Sequence, residues 1–560
     1  MATPILHAFG ILIFVFAWLS FDHYRPWVNF HAEALAFFGI GLLALARLLE
    51  LRHKKDLLLP RIAWVVAAVA LLPWAQWLFR VSLFAGDALV VSLFLCGFAM
   101  AISLGYSYAR DAANAQHDLT AIFYSIWFVA LVSAAIGLLQ WLGLQDSLGM
   151  YVVQTDPGDR AMGNMGQPNQ LATLLLMGIG ALAWTYERRR IGATGLICGV
   201  AFLSLVLVLT QSRTGIVSAT VMALFLTWKN RYQPMRIRPL HALLWLGGFL
   251  LALQLLPLVH EWLLMDEGRN LSLTRDNGRL TIARQVLAGT LESPWFGYGW
   301  NQTPTAHAAG AIAVPGSLTY TNAHNVVLDI LAWNGFPIGI AITIACAYWA
   351  FSRMRSAKDA SALYAMAALL PIGVHSLFEY PFAYAYFLMS AGLFIGIVET
   401  SRPQKTYHAM PKWSFMAFIV SWFIVGVGVV REYLLIEEDF RIVRFENLRI
   451  GQTPEDYQAP ENIWMLSQME SMLRAARQAA RPNMSHQDLE NLRKASQRFP
   501  YGALGLRYAL ALGLNGQPEA ASRQMQIVHG MYGEGYYQAA VSTLRAMQKE
   551  HPDLRAVITP

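Results

Sequence analysis

Residues 191–229 read IGATGLICGVAFLSLVLVLTQSRTGIVSATVMALFLTWK: two apolar runs joined by the short polar break Thr210-Gln211-Ser212-Arg213-Thr214-Gly215. A bilayer core of about 30 Å needs roughly 20 consecutive apolar residues per helix. Backbone N–H and C=O groups find no water there, so they have to bond within one segment. The break leaves room for little more than a turn, so the chain reaches one membrane surface and goes straight back. The same pattern repeats outward in both directions. About thirteen segments meet the length criterion, near 4–20, 32–49, 61–79, 85–106, 120–142, 170–186, 191–210, 213–229, 240–258, 334–352, 361–378, 383–399 and 413–431. Composition agrees, with 56% hydrophobic and 14% charged residues against about 25% charged in soluble chains. The expected fold is all-α, a polytopic membrane helical bundle of about 12–13 spans.

Loop charge orients the bundle. With the N-terminus inside, the inside connections are Leu51–Pro60 with Arg52, Lys54 and Lys55, Glu187–Arg190 with three arginines, Lys229–Pro239, Arg353–Lys358 and Arg402–Lys412. Every strongly basic short connection falls on one side, as expected because Lys and Arg resist translocation. The net charge of +7 is thus a topology signal, and no nucleic-acid partner is expected. The first apolar run, Pro4 to Leu19, lacks a basic leader and a small-residue cleavage site, so it reads as a signal anchor. Cys96, Cys198 and Cys346 each lie within an apolar run, without metal-ligand spacing or a pairing pattern.

Three stretches fall outside: Gln145–Asn169, Val259–Ala323 and everything after Val430. The expected domains are therefore N-terminal membrane helices (1–258), a long outer loop (259–323), C-terminal membrane helices (324–431) and an outer helical domain (432–560). In the last of these, Ser485 with Asp488 reads as a capping box. Tyr501–Leu514, Glu519–Tyr532 and Gly535–Lys549 read as amphipathic helices of a tetratricopeptide-like array, which suits either partner binding or docking on the membrane helices.

Polar groups at membrane depth are costly and mark function. Gly163-Asn164-Met165-Gly166-Gln167-Pro168-Asn169-Gln170 offers neutral amides suited to sugar hydroxyls, or else a turn with Asn169 as helix N-cap. Arg213 sets a guanidinium at the outer boundary, fit for a phosphate or for snorkelling to lipid headgroups. In Asp276-Asn277-Gly278-Arg279, Arg279 opens a helix where backbone N–H groups and a guanidinium can share one anion; the alternative is a solvated surface arginine. His324, in Asn322-Ala323-His324-Asn325, suits removal of a hydroxyl proton, or is a structural histidine. In His375-Ser376-Leu377-Phe378-Glu379-Tyr380, Glu379 either orients a histidine or faces water. Tyr380 either donates to a phosphate or belongs to the interfacial aromatic belt. No phosphate loop, His-Glu-x-x-His or Asp-x-Asp motif occurs, so a site without metal or cofactor is expected.

In their order and common sidedness, these segments resemble the bacterial O-antigen ligase and polymerase superfamily, and within it the protein O-oligosaccharyltransferases that glycosylate pilins. The resemblance implies a glycan donor on undecaprenyl pyrophosphate, a periplasmic pilin-like acceptor protein and an inner-membrane location with active face and C-terminal domain in the periplasm. By position, His324 is similar to the family's essential loop histidine, and Arg213 and Arg279 to its pyrophosphate-binding arginines. The Gly163–Gln170 block and Tyr380 look like features of the protein-glycosylating branch. The site expected on this basis has His324 as catalytic base and Arg213, Arg279 and Tyr380 on the pyrophosphate. Asn164, Gln167, Asn169, Gln170 and Asn325 then meet glycan or acceptor. Rival readings are an O-antigen ligase acting on the lipid A core, a polymerase, or a transporter of the lipid-linked glycan. Transport fits poorly with polar groups gathered on one face.

Overall fold

The computed structural model describes residues 2–51, 53, 55–111, 115–264, 278–316, 319–401, 407–453 and 457–559. Asp276 and Asn277, and Arg52, Lys54 and 402–406 of the basic loops, lie outside the described residues. Each predicted span falls on a helix, or on the pair Arg61–Val69 and Leu72–Leu78. Among the described residues, seven helices are long and apolar enough to cross a membrane: Phe30–Glu50, Arg61–Leu78 taken as one, Ala85–Arg110, Asp118–Trp141, Pro239–Trp262, Val326–Ser356 and Lys412–Leu448. Shorter apolar helices include Thr3–Leu19, Ala193–Leu209, Ala360–Ser376 and Ala385–Glu399. The fold is an all-α, multi-pass membrane bundle.

Contacts group the chain into two compact units. The first comprises 1–68, 94–275 and 348–426; the second comprises 69–93, 276–347 and 427–560. The centre of the first unit is the helix Pro168–Glu187, buried on every side from Gln170 to Thr185. Its run of Leu, Ala, Gly and Met lacks a polar face, and a helix apolar all round belongs inside a bundle. Trp184 stacks on Phe123 with ring centroids 4.3 Å apart. Small residues let other helices close up: a Cβ on Gly39 would stand 3.0 Å from the backbone nitrogen of Phe14.

The basic loops of this unit meet one another. Lys229 donates to the carbonyls of Met354 and Arg355, both at 3.2 Å. The backbone N–H of Arg236 donates to Glu187 at 3.1 Å. Arg353 donates to Glu399 at 3.0 Å. Asp56–Pro60 and Tyr407–Pro411, both expected as loop, pair as antiparallel strands with Leu58 opposite Ala409. An isolated two-stranded pair between distant segments leaves no periodicity to read, but it places both connections on one side.

The helix Lys412–Leu448, which enters the second unit at Val427, runs on past position 431 without a break, where the change of composition suggests a domain boundary. Arg477 clamps this extension through Asp439 at 2.6 Å and Glu446 at 2.9 Å. The helices Ser467–Arg477, His486–Arg498, Gly502–Leu514 and Pro518–Met547 follow. Ser485 caps the second of them, accepting from the N–H of Asp488. Gly533, at φ 72°, kinks the last where two separate helices were expected. The segment between Pro239–Trp262 and Val326–Ser356 contains Arg279–Glu292 and Thr303–Gly310. Gly289 and Gly310 let these two pack backbone to backbone, since a Cβ on either would overlap the other helix's carbonyls.

Candidate active site

In the first unit, three of the predicted segments converge: Gly163–Gln170, Thr210–Gly215 and His375–Tyr380. The convergence has a hub. Pro168, with no N–H to leave unsatisfied, opens the central helix, and Gln167 occupies the N-cap without a side-chain capping bond. Asn169 therefore is not the helix cap, which corrects that reading. Its side chain is turned across the bundle instead. Its amide nitrogen donates to Glu379 at 2.6 Å, and its oxygen accepts from Ser212 at 2.6 Å and Arg160 at 3.4 Å. Ser212 in turn caps the next helix, accepting from the N–H of Gly215 at 2.9 Å. Arg213 is the first residue of that helix, half-buried, so its guanidinium leaves from a turn tied to Asn169 on one side and to the cap on the other.

Glu379 continues the chain. Its second oxygen meets His375 Nε2 at 3.0 Å, and His375 Nδ1 meets the hydroxyl of Thr173 at 2.9 Å. Both partners are buried, and a buried carboxylate is tolerable only when paired and hydrogen-bonded. Glu379 thus orients a histidine, settling the alternative left open by its sequence. Arg160 also donates to the carbonyl of Thr210 at 2.7 Å. Sequence reading passed over Arg160 and Thr173. The i,i+4 spacing of His375 and Glu379 was the available signal for that pair.

The amides of the Gly163–Gln170 block divide in use. Asn164 donates to the carbonyls of Leu19 and Tyr151 and accepts from the N–H of Val153, so it holds backbone in place. Gln170, almost fully buried, donates to Gln167 at 3.2 Å and accepts from Tyr386 at 3.0 Å. Tyr380 stacks on Tyr384, their centroids 6.0 Å apart. Gln167, Gln170, Tyr380, Tyr384 and Tyr386 thereby form one string of amides and phenols.

In the second unit, Arg279 opens the helix Arg279–Glu292 behind a left-handed Gly278 at φ 80°. His324 stands two residues before the helix Val326–Ser356, itself left-handed at φ 55° and edge-on to Tyr320 at 5.1 Å. Asn325 accepts from the N–H groups of Val327 and Leu328 at 2.9 and 3.2 Å, closing the start of that helix as a cap. Sequence reading missed Asp329. Fully buried, it accepts from Thr303 Oγ1 at 2.6 Å and from the N–H of Ala323 at 2.9 Å, both on Oδ1. The same segment holds His307, whose Nε2 meets Gln285 Oε1 at 2.7 Å; burial pushes this imidazole down to about 4.

Sequence comparison defines the class. A family model described as O-antigen ligase matches residues 198–343, and one described as protein glycosylation ligase matches 161–186. A third, described as the C-terminal part of a virulence-factor membrane-bound polymerase, matches 363–546. The chain is a multi-pass membrane glycosyltransferase, similar over these stretches to O-antigen ligases and protein glycosylation ligases. Among curated proteins it is similar to a general O-oligosaccharyltransferase of Acinetobacter baylyi, 28% identical over 93% of this chain and 91% of that protein. It is also similar to a ComP-specific O-oligosaccharyltransferase of the same organism, 25% identical over 68% and 69% of the two chains. Both relatives are oligosaccharyltransferases, a kind of glycosyltransferase.

Proposed function

We propose that this protein transfers an oligosaccharide from undecaprenyl pyrophosphate to a serine or threonine hydroxyl of a periplasmic, pilin-like protein. It would act at the outer face of a bacterial inner membrane, with its C-terminal helical domain in the periplasm. The observation that carries this reading is the correspondence, over nearly the full length of both chains, with a general O-oligosaccharyltransferase. The protein glycosylation ligase match at 161–186, covering the Asn169 hub, supports a protein as acceptor. The O-antigen ligase match at 198–343 supports a second reading, transfer to a sugar hydroxyl of the lipid A core.

In this mechanism His324 takes the proton of the acceptor hydroxyl. The oxygen attacks the anomeric carbon as the bond from that carbon to the phosphate oxygen breaks, and undecaprenyl pyrophosphate leaves with the electron pair. Arg213, Arg279 and Tyr380 meet the charge that grows on the pyrophosphate. Such preorganised donors supply about 3–4 kcal/mol each in water-poor sites, and a general base about 10²–10⁴ in rate. Gln167 faces glycan or acceptor and Gln170 holds it from behind, while Asn164, Asn169 and Asn325 shape that surface through the backbone and side chains they hold.

The two contributions are comparable, so loss of either group is severe. Cells in which His324→Ala or Arg279→Ala protein accumulates normally in the membrane are expected to yield acceptor pilin lacking its glycan by intact-mass analysis. Normal glycosylation by either variant removes that residue from the mechanism. A mass change confined to lipopolysaccharide supports the ligase reading instead.

A further inference from the structure

The segment that carries His324 is held from one buried atom. Asp329 lies on the first turn of the helix Val326–Ser356 and is wholly inaccessible. Its Oδ1 accepts from the backbone N–H of Ala323 at 2.9 Å and from Thr303 Oγ1 at 2.6 Å. Thr303 accepts in turn from Trp333 Nε1 at 2.8 Å, so the outer-loop helix Thr303–Gly310 and the helix after His324 meet at this carboxylate. Ala323 immediately precedes His324, whose φ of 55° lies in the left-handed region, uncommon for any residue but glycine even though asparagine, aspartate and histidine enter it more readily than most. Asn325, on the other side, is tied down by its bonds to Val327 and Leu328. The histidine thus sits between two anchored neighbours in a conformation the free chain would leave, and such a conformation persists only where the surroundings over-determine it.

We propose that Asp329 is the positioning residue for His324: by accepting the Ala323 N–H it holds the left-handed turn that presents the imidazole. The inference rests on the reading of His324 as general base. It adds that the base is aimed by a carboxylate that touches neither substrate nor imidazole. A buried acceptor with two donors is expensive to leave empty, and a base displaced by about 1 Å loses on the order of 10²-fold in rate.

The test compares wild type with Asp329→Ala, Asp329→Asn and His324→Ala, each purified in detergent. The assay follows transfer from an undecaprenyl-pyrophosphate oligosaccharide to an acceptor protein, with thermal unfolding measured alongside. Asparagine keeps an oxygen that can accept both bonds; alanine does not. Asp329→Ala is expected to lose about 10²-fold in kcat with KM within about two-fold, since positioning acts on the transition state rather than on uniform binding. Asp329→Asn is expected to recover most of that loss. If Asp329→Ala fails to accumulate, Thr303→Val takes its place. It removes one of the two donors to Oδ1 and is expected to lower kcat several-fold at unchanged KM. Equal losses in Asp329→Asn and Asp329→Ala, or a loss that appears in KM, overturn the proposal while the His324 reading stands. A fully active His324→Ala overturns both.

Discussion

Asn169 shows what one side chain does in this protein. It bonds to Glu379, Ser212 and Arg160 and so joins three polar segments far apart in sequence. Removing it leaves buried donors and acceptors without partners, at about 1–3 kcal/mol. Asn169→Ala is therefore expected to melt lower than wild type in detergent. Asn169→Asp is expected to melt lower still, because it sets a second carboxylate against Glu379; a wild-type melting temperature for both variants contradicts the hub. None of this was legible from residues 163–170 alone. Their composition announced polar chemistry, but Glu379 lies 210 positions away, and nothing local distinguishes an amide that caps from one that reaches across a bundle. Asp329 was hidden for a related reason: an aspartate early in an apolar helix looks like a favourable charge at a helix start until its partners at 303 and 323 are seen. His324, Arg213 and Arg279 stood out because each is an ionisable residue at a polar break.

At the scale of elements, hydropathy carried most of the fold. Thirteen apolar stretches became helices because an apolar run of that length has only one way to satisfy its backbone in lipid. Where the reading fell short, the physics was not periodic. The strands at 56–60 and 407–411 pair over a long sequence separation. The helix runs through Arg431 to Leu448 because charged residues form helix as readily as apolar ones, so a change in composition need not be a change in structure. The segment 279–310 leads to a further prediction. His307 is fully buried, and burial pushes it down from 6.5 to about 4. The folded state thus keeps it neutral, whereas the unfolded chain protonates near 6.5. Its contribution is present in full above pH 6.5 and is lost as pH falls from there to about 4, on the order of 3 kcal/mol at most. Hydrogen exchange across residues 279–310 is expected to speed up between pH 7 and pH 5 relative to the rest of the protein. His307→Asn is expected to flatten that difference, and an unchanged pH dependence in this variant assigns it to another group.

At the scale of the whole molecule, the candidate residues are divided between the two units. The Asn169 hub with Arg213 and Tyr380 belongs to one; Arg279 and His324 belong to the other. The proposed transfer requires the donor's pyrophosphate and the acceptor's hydroxyl to arrive at one face of the membrane, the face away from the basic loops that bond to one another. Single cysteines introduced into a cysteine-free background test this directly. Asp159 is exposed beside Arg160, Thr321 is exposed beside the His324 turn, and Arg189 is exposed in a basic loop. A membrane-impermeant maleimide added to cells with a permeabilised outer membrane is predicted to label Asp159→Cys and Thr321→Cys, and to reach Arg189→Cys only after the inner membrane is opened. Labelling of Asp159→Cys and Thr321→Cys from opposite sides would contradict a shared catalytic face.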